Sequence, residues 1–326
     1  MKDIGIDLGT ANVLIYVKGD GIVLNEPSVL AIDTESKEIL AIGKEANEML
    51  GRTPGRVMAI KPLKNGVIAD FEYTEMMLSH FIKRVKGRGI LSKPRILICC
   101  PSNITAVEKN AIKEAAEKVG ARKVFIEEEP KIAALGAGID ISKPSGNMVI
   151  DIGGGTTDIA VLSLGSIVNS QSIKIAGDSF DKAIVDYIKA KHNLLIGEKS
   201  AENIKINLGT VFNSDKNHEM EIKGRDLSKG LPTTVKINET EVEEALFPLV
   251  MDIIKSTKNV LEETLPELSA DIYDKGIVLT GGGALLNGIS DLFEKELNIP
   301  VFLSESPLTC VAEGCGILLS NLYLVD

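Results

Sequence analysis

The start of the chain shows an alternation of apolar and polar residues that glycines interrupt. In residues 4–24, IGIDLGTANVLIYVKGDGIVL, the interruptions fall at Gly9-Thr10 and at Gly19-Asp20-Gly21. Such alternation is typical of β-strands with one buried face, and glycine permits the tight turns between antiparallel strands. The pattern therefore predicts an antiparallel meander.

Helical spacing follows in several places. The segment TEMMLSHFIKRVKG predicts an amphipathic helix capped by Thr74, and residues 105–119 predict a second helix that stops at Gly120. A third helix is expected to begin at Pro130, which suits a first helical turn, and a fourth at Asp178. The short apolar run RILICC between the first two helices predicts a buried strand.

The opening pattern occurs a second time near the middle of the chain. After a loop at residues 143–146, the segment MVIDIGGGTTDIAVL again places an aspartate before a glycine turn and a second alternating strand after it. This similarity indicates an internal duplication. We expect two α/β halves that face each other across a cleft lined by both glycine turns.

Composition narrows the class of protein. The 326 residues are 44% hydrophobic and 25% charged, which is ordinary for a globular protein of about two domains. The net charge of −10 argues against a general nucleic-acid binder, so we expect no nucleic-acid partner. The four cysteines lack metal-ligand spacing, and no signal-peptide pattern or long apolar run is present. We therefore expect a cytoplasmic protein with reduced thiols.

The glycine turns also carry candidate chemistry. Without a Cβ, backbone N–H groups can approach phosphate oxygens closely. The Walker pattern is absent, and strands rather than helices follow the first two turns, which excludes a Rossmann site. Each glycine turn taken alone could be explained as an ordinary tight turn between strands. A third glycine turn in KGIVLTGGGALLNG makes phosphate binding the better explanation.

These motifs resemble the two phosphate loops and the adenosine loop of the actin, sugar-kinase and heat-shock ATPase superfamily. Over nearly the whole chain, the sequence is similar to the MreB and Mbl family of bacterial actins. The segments that carry this similarity include IKPLKNGVIADF, PSGNMVIDIGGGTTDIAVLSLG, GRDLSKGLP and ELSADIYDKGIVLTGGGALLNG.

The resemblance implies an α/β, actin-like fold with duplicated RNase H-like halves around a nucleotide cleft. Half I would span residues 1–140 with an outer subdomain at about 32–70. Half II would span residues 141–306 with an outer subdomain at about 180–238. Residues 307–326 would form a C-terminal helix that returns to half I.

The resemblance also implies ATP and Mg²⁺ as cofactors, and a role for each site residue. Asp7 and Asp151 would bind Mg²⁺ through water, and Glu129 would position the attacking water with help from Thr156. The residues implied to hold the phosphates are Thr10, Ala11, Asn12, Gly153, Gly154 and Gly155. Those implied to contact the adenosine are Glu202, Lys205, Gly282, Gly283, Ala284 and Leu285.

Two of these assignments have alternatives. Glu127 and Glu128 adjoin Glu129, and only the position before Pro130, at a helix N-terminus that favours the ionised form, selects Glu129 as the base. On residues alone, Glu202 and Lys205 at i, i+3 spacing equally suit a solvated ion pair on a helix surface.

The segment KRVKGRGILSKPR places Ile90 and Leu91 among cations, a composition suited to the surface of an anionic bilayer. The cations are Arg84, Lys86, Arg88, Lys93 and Arg95. The alternative is that the two apolar side chains fold back onto the core. The resemblance favours membrane docking, and it implies a peripheral location at the inner face of the cell membrane.

The expected function is that of an ATP-hydrolysing filament protein. By resemblance, the filaments are paired, lie on the membrane and organise cell-wall synthesis and rod shape together with cell-wall elongation proteins. A DNA-segregating actin and a monomeric sugar-kinase-like phosphotransferase are the alternatives. A chaperone ATPase would need a substrate domain, for which the sequence gives no sign.

Overall fold

The computed structural model describes residues 3–64, 66–86, 93–102, 104–214 and 217–321. The strands are β1 (Ile4–Leu8), β2 (Asn12–Val17), β3 (Gly21–Pro27), β4 (Leu30–Asp33), β5 (Ile39–Ile42), β6 (Val57–Ile60), β7 (Leu63–Lys64), β8 (Val67–Ile68), β9 (Arg95–Cys100), β10 (Lys123–Glu128), β11 (Asn147–Ile152), β12 (Thr157–Ser163), β13 (Ser166–Ile173), β14 (Leu194–Leu195), β15 (Glu219–Asp226), β16 (Pro232–Asn238), β17 (Ile277–Thr280) and β18 (Val301–Leu303). The helices are α1 (Lys44–Met49), α2 (Phe71–Lys86), α3 (Ala106–Lys118), α4 (Glu129–Gly136), α5 (Gly177–His192), α6 (Glu198–Leu208), α7 (Glu239–Glu262), α8 (Pro266–Lys275), α9 (Ile289–Leu297) and α10 (Cys310–Asn321).

Two five-stranded mixed sheets have the same topology. Their strand orders are β3-β2-β1-β9-β10 and β13-β12-β11-β17-β18. In each sheet the first three strands form an antiparallel meander. The last two strands run parallel to β1 in the first sheet and to β11 in the second. The repeat seen in the sequence is therefore a repeat of the fold, and the α/β, actin-like architecture is confirmed.

Smaller sheets lie outside this pair. One has the order β5-β4-β6, another the order β14-β15-β16, and β7 and β8 form a short separate hairpin. They fall in the two segments that the sequence assigns to outer subdomains. The numbered limits of the halves and subdomains stay predictions.

Helices α4 and α10 cross each other between the two large sheets. A Cβ on Gly136 would overlap the carbonyl oxygen of Cys310 and lie 3.1 Å from the backbone N of Gly314. A Cβ on Gly314 would likewise overlap the carbonyl oxygen of Ile132. The two helices thus meet backbone to backbone, because each carries glycine at the crossing.

The helix starts show where local sequence rules hold. Thr105 caps α3 in a capping box, in which Glu108 N–H donates to Thr105 Oγ1 at 3.2 Å and Thr105 N–H donates to Glu108 Oε2 at 2.8 Å. The prediction that Thr74 caps the preceding helix is wrong. Helix α2 begins at Phe71, and Asp70 Oδ1 accepts the N–H of Tyr73 at 3.1 Å.

Half I also contains a fully buried ion pair. Arg95 Nη2 lies 2.6 Å from Asp3 Oδ2, and the backbone N–H of Arg95 donates to Asp3 Oδ1 at 3.2 Å. The pair joins the start of β1 to the start of β9. All four cysteines are buried free thiols, as expected. Among the described residues, no helix is both long and apolar enough to cross a bilayer.

Candidate functional site

The first glycine loop (residues 9–11) joins β1 to β2 at the edge of the cleft. Asp7 lies near the end of β1 and is half-buried. Ser28 stabilises the loop, since its Oγ donates to the carbonyl of Gly9 at 2.7 Å and its N–H donates to the carbonyl of Ala11 at 2.9 Å. These bonds occupy two carbonyl groups of the loop and fix its backbone.

The second glycine loop (residues 153–156) occupies the equivalent place between β11 and β12. Its turn is closed by the Gly153 N–H, which donates to the carbonyl of Thr156 at 2.9 Å. The start of α5 is bonded to the same loop: Gly177 N–H donates to Gly153 O at 3.1 Å, and Asp178 N–H donates to Gly154 O at 2.7 Å. The loop and the first turn of α5 therefore form one unit.

The two loops touch each other. A Cβ on Gly154 would lie 2.8 Å from the Cβ of Ala11 and 3.1 Å from its backbone N, which is closer than side-chain atoms pack. The predicted phosphate residues of the two halves, 10–12 and 153–155, are thus brought together. The close approach to Ala11 leaves no room for a side chain at position 154 and so requires glycine there.

Four carboxyl groups near the glycine loops, those of Asp7, Glu129, Asp151 and Asp158, lie close enough to influence each other's pKa. Asp151 is paired in register with Asp158 on β12, and both are buried. Burial raises the pKa of Asp151 to about 8, with a further contribution from the charges of Asp158 and Asp7, and it raises the pKa of Asp7 to about 7. Glu129 completes the group. A cationic ligand would stabilise the ionised forms of these carboxyl groups, so the site favours one.

The structure separates Glu129 from its two neighbours. Glu127 Oε2 is paired with Lys131 Nζ at 3.0 Å, and Glu128 Oε1 lies 4.0 Å from Lys109 Nζ. Glu129 is buried and faces the other carboxylates. Burial, followed by the charge of Asp7, raises its pKa well above the usual range. The expectation that the helix N-terminus keeps Glu129 ionised is therefore wrong for this ligand-free chain, because desolvation outweighs the dipole.

The third glycine loop (residues 281–285) follows β17, and four predicted adenosine residues lie in it. Gly283 and Ala284 are buried, whereas Gly282 and Leu285 are exposed. Gly281, at φ 83°, packs beside the carboxylate of Asp151. This position leaves no room for a Cβ and joins the third loop to the second.

The other two predicted adenosine residues lie on α6. Lys205 Nζ is paired with Asp181 Oδ1 of α5 at 2.9 Å and donates to the carbonyl of Gly177 at 3.2 Å. Glu202 is exposed one turn before it. Within the described ranges the ion pair of Lys205 runs to α5 and not to Glu202, so a simple surface pair on one helix does not describe this site.

Some residues at the site were not predicted. Asp158 is 2% exposed, and the N–H of Ser102 in half I donates to its Oδ1 at 3.4 Å. Its place directly after the Gly-Gly-Gly-Thr-Thr turn was a usable signal. Lys61 and Gly66 also reach the loops, but no sequence pattern connects them to the cleft.

The proposed membrane residues Ile90 and Leu91 lie outside the described residues. Two cations expected to surround them have other contacts. Arg95 is buried against Asp3, and Arg84 Nη1 is paired with Glu26 Oε1 at 2.8 Å. The expectation that Arg95 faces a bilayer is wrong, because its guanidinium is buried inside half I in an ion pair with Asp3.

The residues present fit a magnesium ion held through water. Carboxylate oxygens are hard ligands that Mg²⁺ prefers, and Mg²⁺ keeps several of its own waters. In the part of the chain that the structure describes, no group of three or more His, Cys, Asp and Glu side chains could hold a metal ion directly. Asp7 and Asp151 would suit a hydrated magnesium ion.

Comparison with known sequences gives full-length matches. A sequence model of the MreB/Mbl protein family matches residues 1–326. The cell shape-determining protein Mbl of Bacillus subtilis (strain 168) is 61% identical over 321 residues, which are 98% of this chain and 96% of that protein. The cell shape-determining protein MreB of Escherichia coli (strain K12) is 50% identical over 320 residues, 97% of this chain and 92% of that protein.

Solved structures agree with these sequence matches. MreB5 of Spiroplasma citri bound to ADP has a TM-score of 0.94 and 42% identity, and the match covers 98% of this chain and 97% of that one. The MamK double helical filament has a TM-score of 0.83 at 23% identity, covers 98% of each chain, and shows a shared fold. The glycine loops, the duplicated sheets and the full-length matches agree, and this chain belongs to the MreB/Mbl family of bacterial actins.

Proposed function

We propose that this chain binds ATP between its two halves, hydrolyses it, and assembles into filaments. The observation that carries the proposal is the contact between the first and second glycine loops, beside a group of buried carboxylates. Bare backbone on both sides of one cleft suits a polyphosphate, and the carboxylates suit the accompanying cation. The MreB5 structures bound to ADP and to AMPPNP support the choice of nucleotide.

Backbone N–H groups of residues 10–12 and 153–155 would bind the β- and γ-phosphates from opposite halves. Asp7 and Asp151 would hold water molecules of a magnesium ion, whose chemistry is to neutralise phosphate charge during the transfer. Lys205 and the third glycine loop would face the adenosine. These assignments come from the family resemblance, and the contact between the two phosphate loops supports them.

Glu129 would accept the proton of the attacking water. Its buried carboxyl group has a raised pKa, which makes its ionised form a stronger base than an exposed glutamate. Thr156 is 4% exposed beside the second loop and would orient the same water through its hydroxyl. Burial of both residues excludes bulk solvent from the reaction.

Filament assembly, cell-wall organisation and binding to the inner face of the membrane are proposed from the family. The relatives with 61% and 50% identity are cell shape-determining proteins, which supports a role in rod shape with cell-wall elongation proteins as partners. The membrane contact is assigned to Ile90 and Leu91 on sequence alone. Changing both to serine should abolish co-sedimentation with anionic liposomes, whereas Leu265→Ser, at a residue 61% exposed elsewhere, should not.

The decisive experiment measures phosphate release and pelleting of purified protein with ATP and magnesium. Wild type should release phosphate and form filaments visible by electron microscopy. Glu129→Gln should lower the rate of phosphate release by about 10²–10⁴-fold and leave nucleotide affinity nearly unchanged. Glu128→Gln, at the neighbouring lysine-paired position, is the matched control. Equal loss in both variants, or no nucleotide binding by wild type, would contradict the proposal.

A further inference from the structure

The β7–β8 hairpin of half I reaches both phosphate loops. At its turn, the Gly66 N–H donates to Thr10 Oγ1 in the first loop at 3.2 Å. On its other side Gly66 faces Thr156 of the second loop. A Cβ on Gly66 would overlap the Cγ2 methyl of Thr156 and lie 3.0 Å from its hydroxyl oxygen. One backbone position thus lies between a residue of each half.

A second connection leaves the same segment just before β7. Lys61 Nζ lies 3.4 Å from Asp178 Oδ1, and both side chains are about one-third exposed. Asp178 is in the first turn of α5, where its own N–H donates to Gly154 O at 2.7 Å. Lys61 therefore reaches the unit formed by α5 and the second loop.

The hairpin is held firmly on its own half. The carbonyl of Pro62 accepts the N–H groups of Ala69 at 2.9 Å and Asp70 at 3.2 Å. Leu63 and Ile68 are 5% and 9% exposed and belong to the hydrophobic core of half I. A segment fixed in this way can determine where the residues it touches lie.

We propose that Gly66 and Lys61 are positioning residues for the hydrolysis step. The Gly66 backbone sets the distance between Thr10 and Thr156, and the Lys61–Asp178 ion pair holds the second loop against the hairpin. The inference rests on the proposed ATP hydrolysis. The hairpin determines the position of Thr156 and does not itself contact the phosphates. Loss of the Gly66 or Lys61 contacts should therefore lower kcat and leave nucleotide affinity nearly unchanged.

The first test uses Gly66→Ala. Carbon atoms pack best at about 3.5–4.0 Å, so the new methyl group must push Thr156 away by on the order of 1 Å. A displacement of that size costs about 100-fold in kcat, with nucleotide affinity changed by less than roughly threefold. Gly51→Ala is the matched control, because Gly51 has φ 70° against 69° for Gly66 and has open space around its Cα.

A rescue variant separates positioning from misfolding. Thr156→Ser removes the methyl group that the new Cβ would overlap and keeps the hydroxyl. The double variant Gly66→Ala/Thr156→Ser should therefore be several-fold faster than Gly66→Ala alone. Full activity of Gly66→Ala, or a rate in the double variant no higher than in Gly66→Ala, would overturn the inference.

The ion pair is tested by a double-mutant cycle. Lys61→Met and Asp178→Asn should each lower kcat, and the double variant should be no slower than either single variant. Lys61→Arg should keep most of the activity, and Lys64→Met, at an exposed position on the same hairpin, should keep all of it. Additive losses would overturn the inference. Absence of phosphate release in wild type would instead contradict the proposed function.

Discussion

The buried carboxylates make a prediction about the stability of the nucleotide-free protein. Asp151 has a folded-state pKa of about 8 against an ordinary value of 3.8, chiefly because it is buried. Its contribution to stability is therefore fully present below the ordinary pKa and is lost as pH rises toward the folded pKa. The change to make is Asp151→Asn, which keeps the size of the side chain and removes the titration.

The magnitude follows from the shift. Between about pH 5.5 and about pH 7.0 the folded protein holds one more proton at Asp151 than the unfolded chain does, which lowers the free energy of unfolding by about 2 kcal/mol. Asp7 adds a somewhat smaller amount because its folded pKa of about 7 is lower, so the group already loses part of its proton at the upper end of this interval. Asp151→Asn should remove more than half of the combined loss.

The assay is urea unfolding followed by circular dichroism across the same pH interval. Wild type should lose stability as pH rises, and Asp151→Asn should lose less than half as much over the same interval. Asp252→Asn, at an exposed position on α7, is the control and should follow wild type. Magnesium and nucleotide should also flatten the wild-type dependence, because a bound cation keeps the carboxylates ionised. Equal slopes in wild type and Asp151→Asn would refute the reasoning.

Three further predictions concern stability. Asp3→Ala removes the carboxylate from the buried Arg95 and should lower the free energy of unfolding by about 3–5 kcal/mol in urea titrations; a negligible change would contradict this. Thr105→Ala should cost about 1 kcal/mol through loss of the α3 cap, measured by thermal melting, and Thr105→Ser should not. Gly136→Ala should cost about 1–3 kcal/mol in the same titrations despite the better helix propensity of alanine, and increased stability would show that the Cys310 carbonyl moves away freely.

Local sequence signals predicted those parts of the fold that local physics determines. The alternation and glycine turns predicted the first meander and the first two strands of the second one, because strand period and turn geometry depend on neighbouring residues. The prediction that Thr74 caps this helix was wrong because the helix begins earlier, at Phe71. Asp70 directly precedes Phe71, and its side chain accepts the N–H of Tyr73 as a capping residue does. Two acceptable capping residues this close together cannot be ranked by residue type alone.

Site residues could be predicted where they lie in a recognisable sequence motif. They could not be predicted where they contact the site only because folding brings distant residues together. Asp151 and Gly154 lie in a recognisable motif, and the structure brings them together with the first loop. The ion pair between Lys61 and Asp178 joins residues 117 positions apart, and only the folded arrangement of the chain creates it. The raised pKa of Glu129 likewise depends first on its burial in the folded chain and then on charges distant in sequence, that of Asp7 foremost.

The glycine crossing of α4 and α10 has a mechanical meaning. Side chains between two helices can absorb small movements by changing rotamer, but here main-chain atoms face each other with no side chain between them. A tilt of α10 should therefore move the backbone of α4, whose first residue is Glu129, with little cushioning by side chains. A force on the exposed side of α10 would then shift the position of the Glu129 carboxyl group.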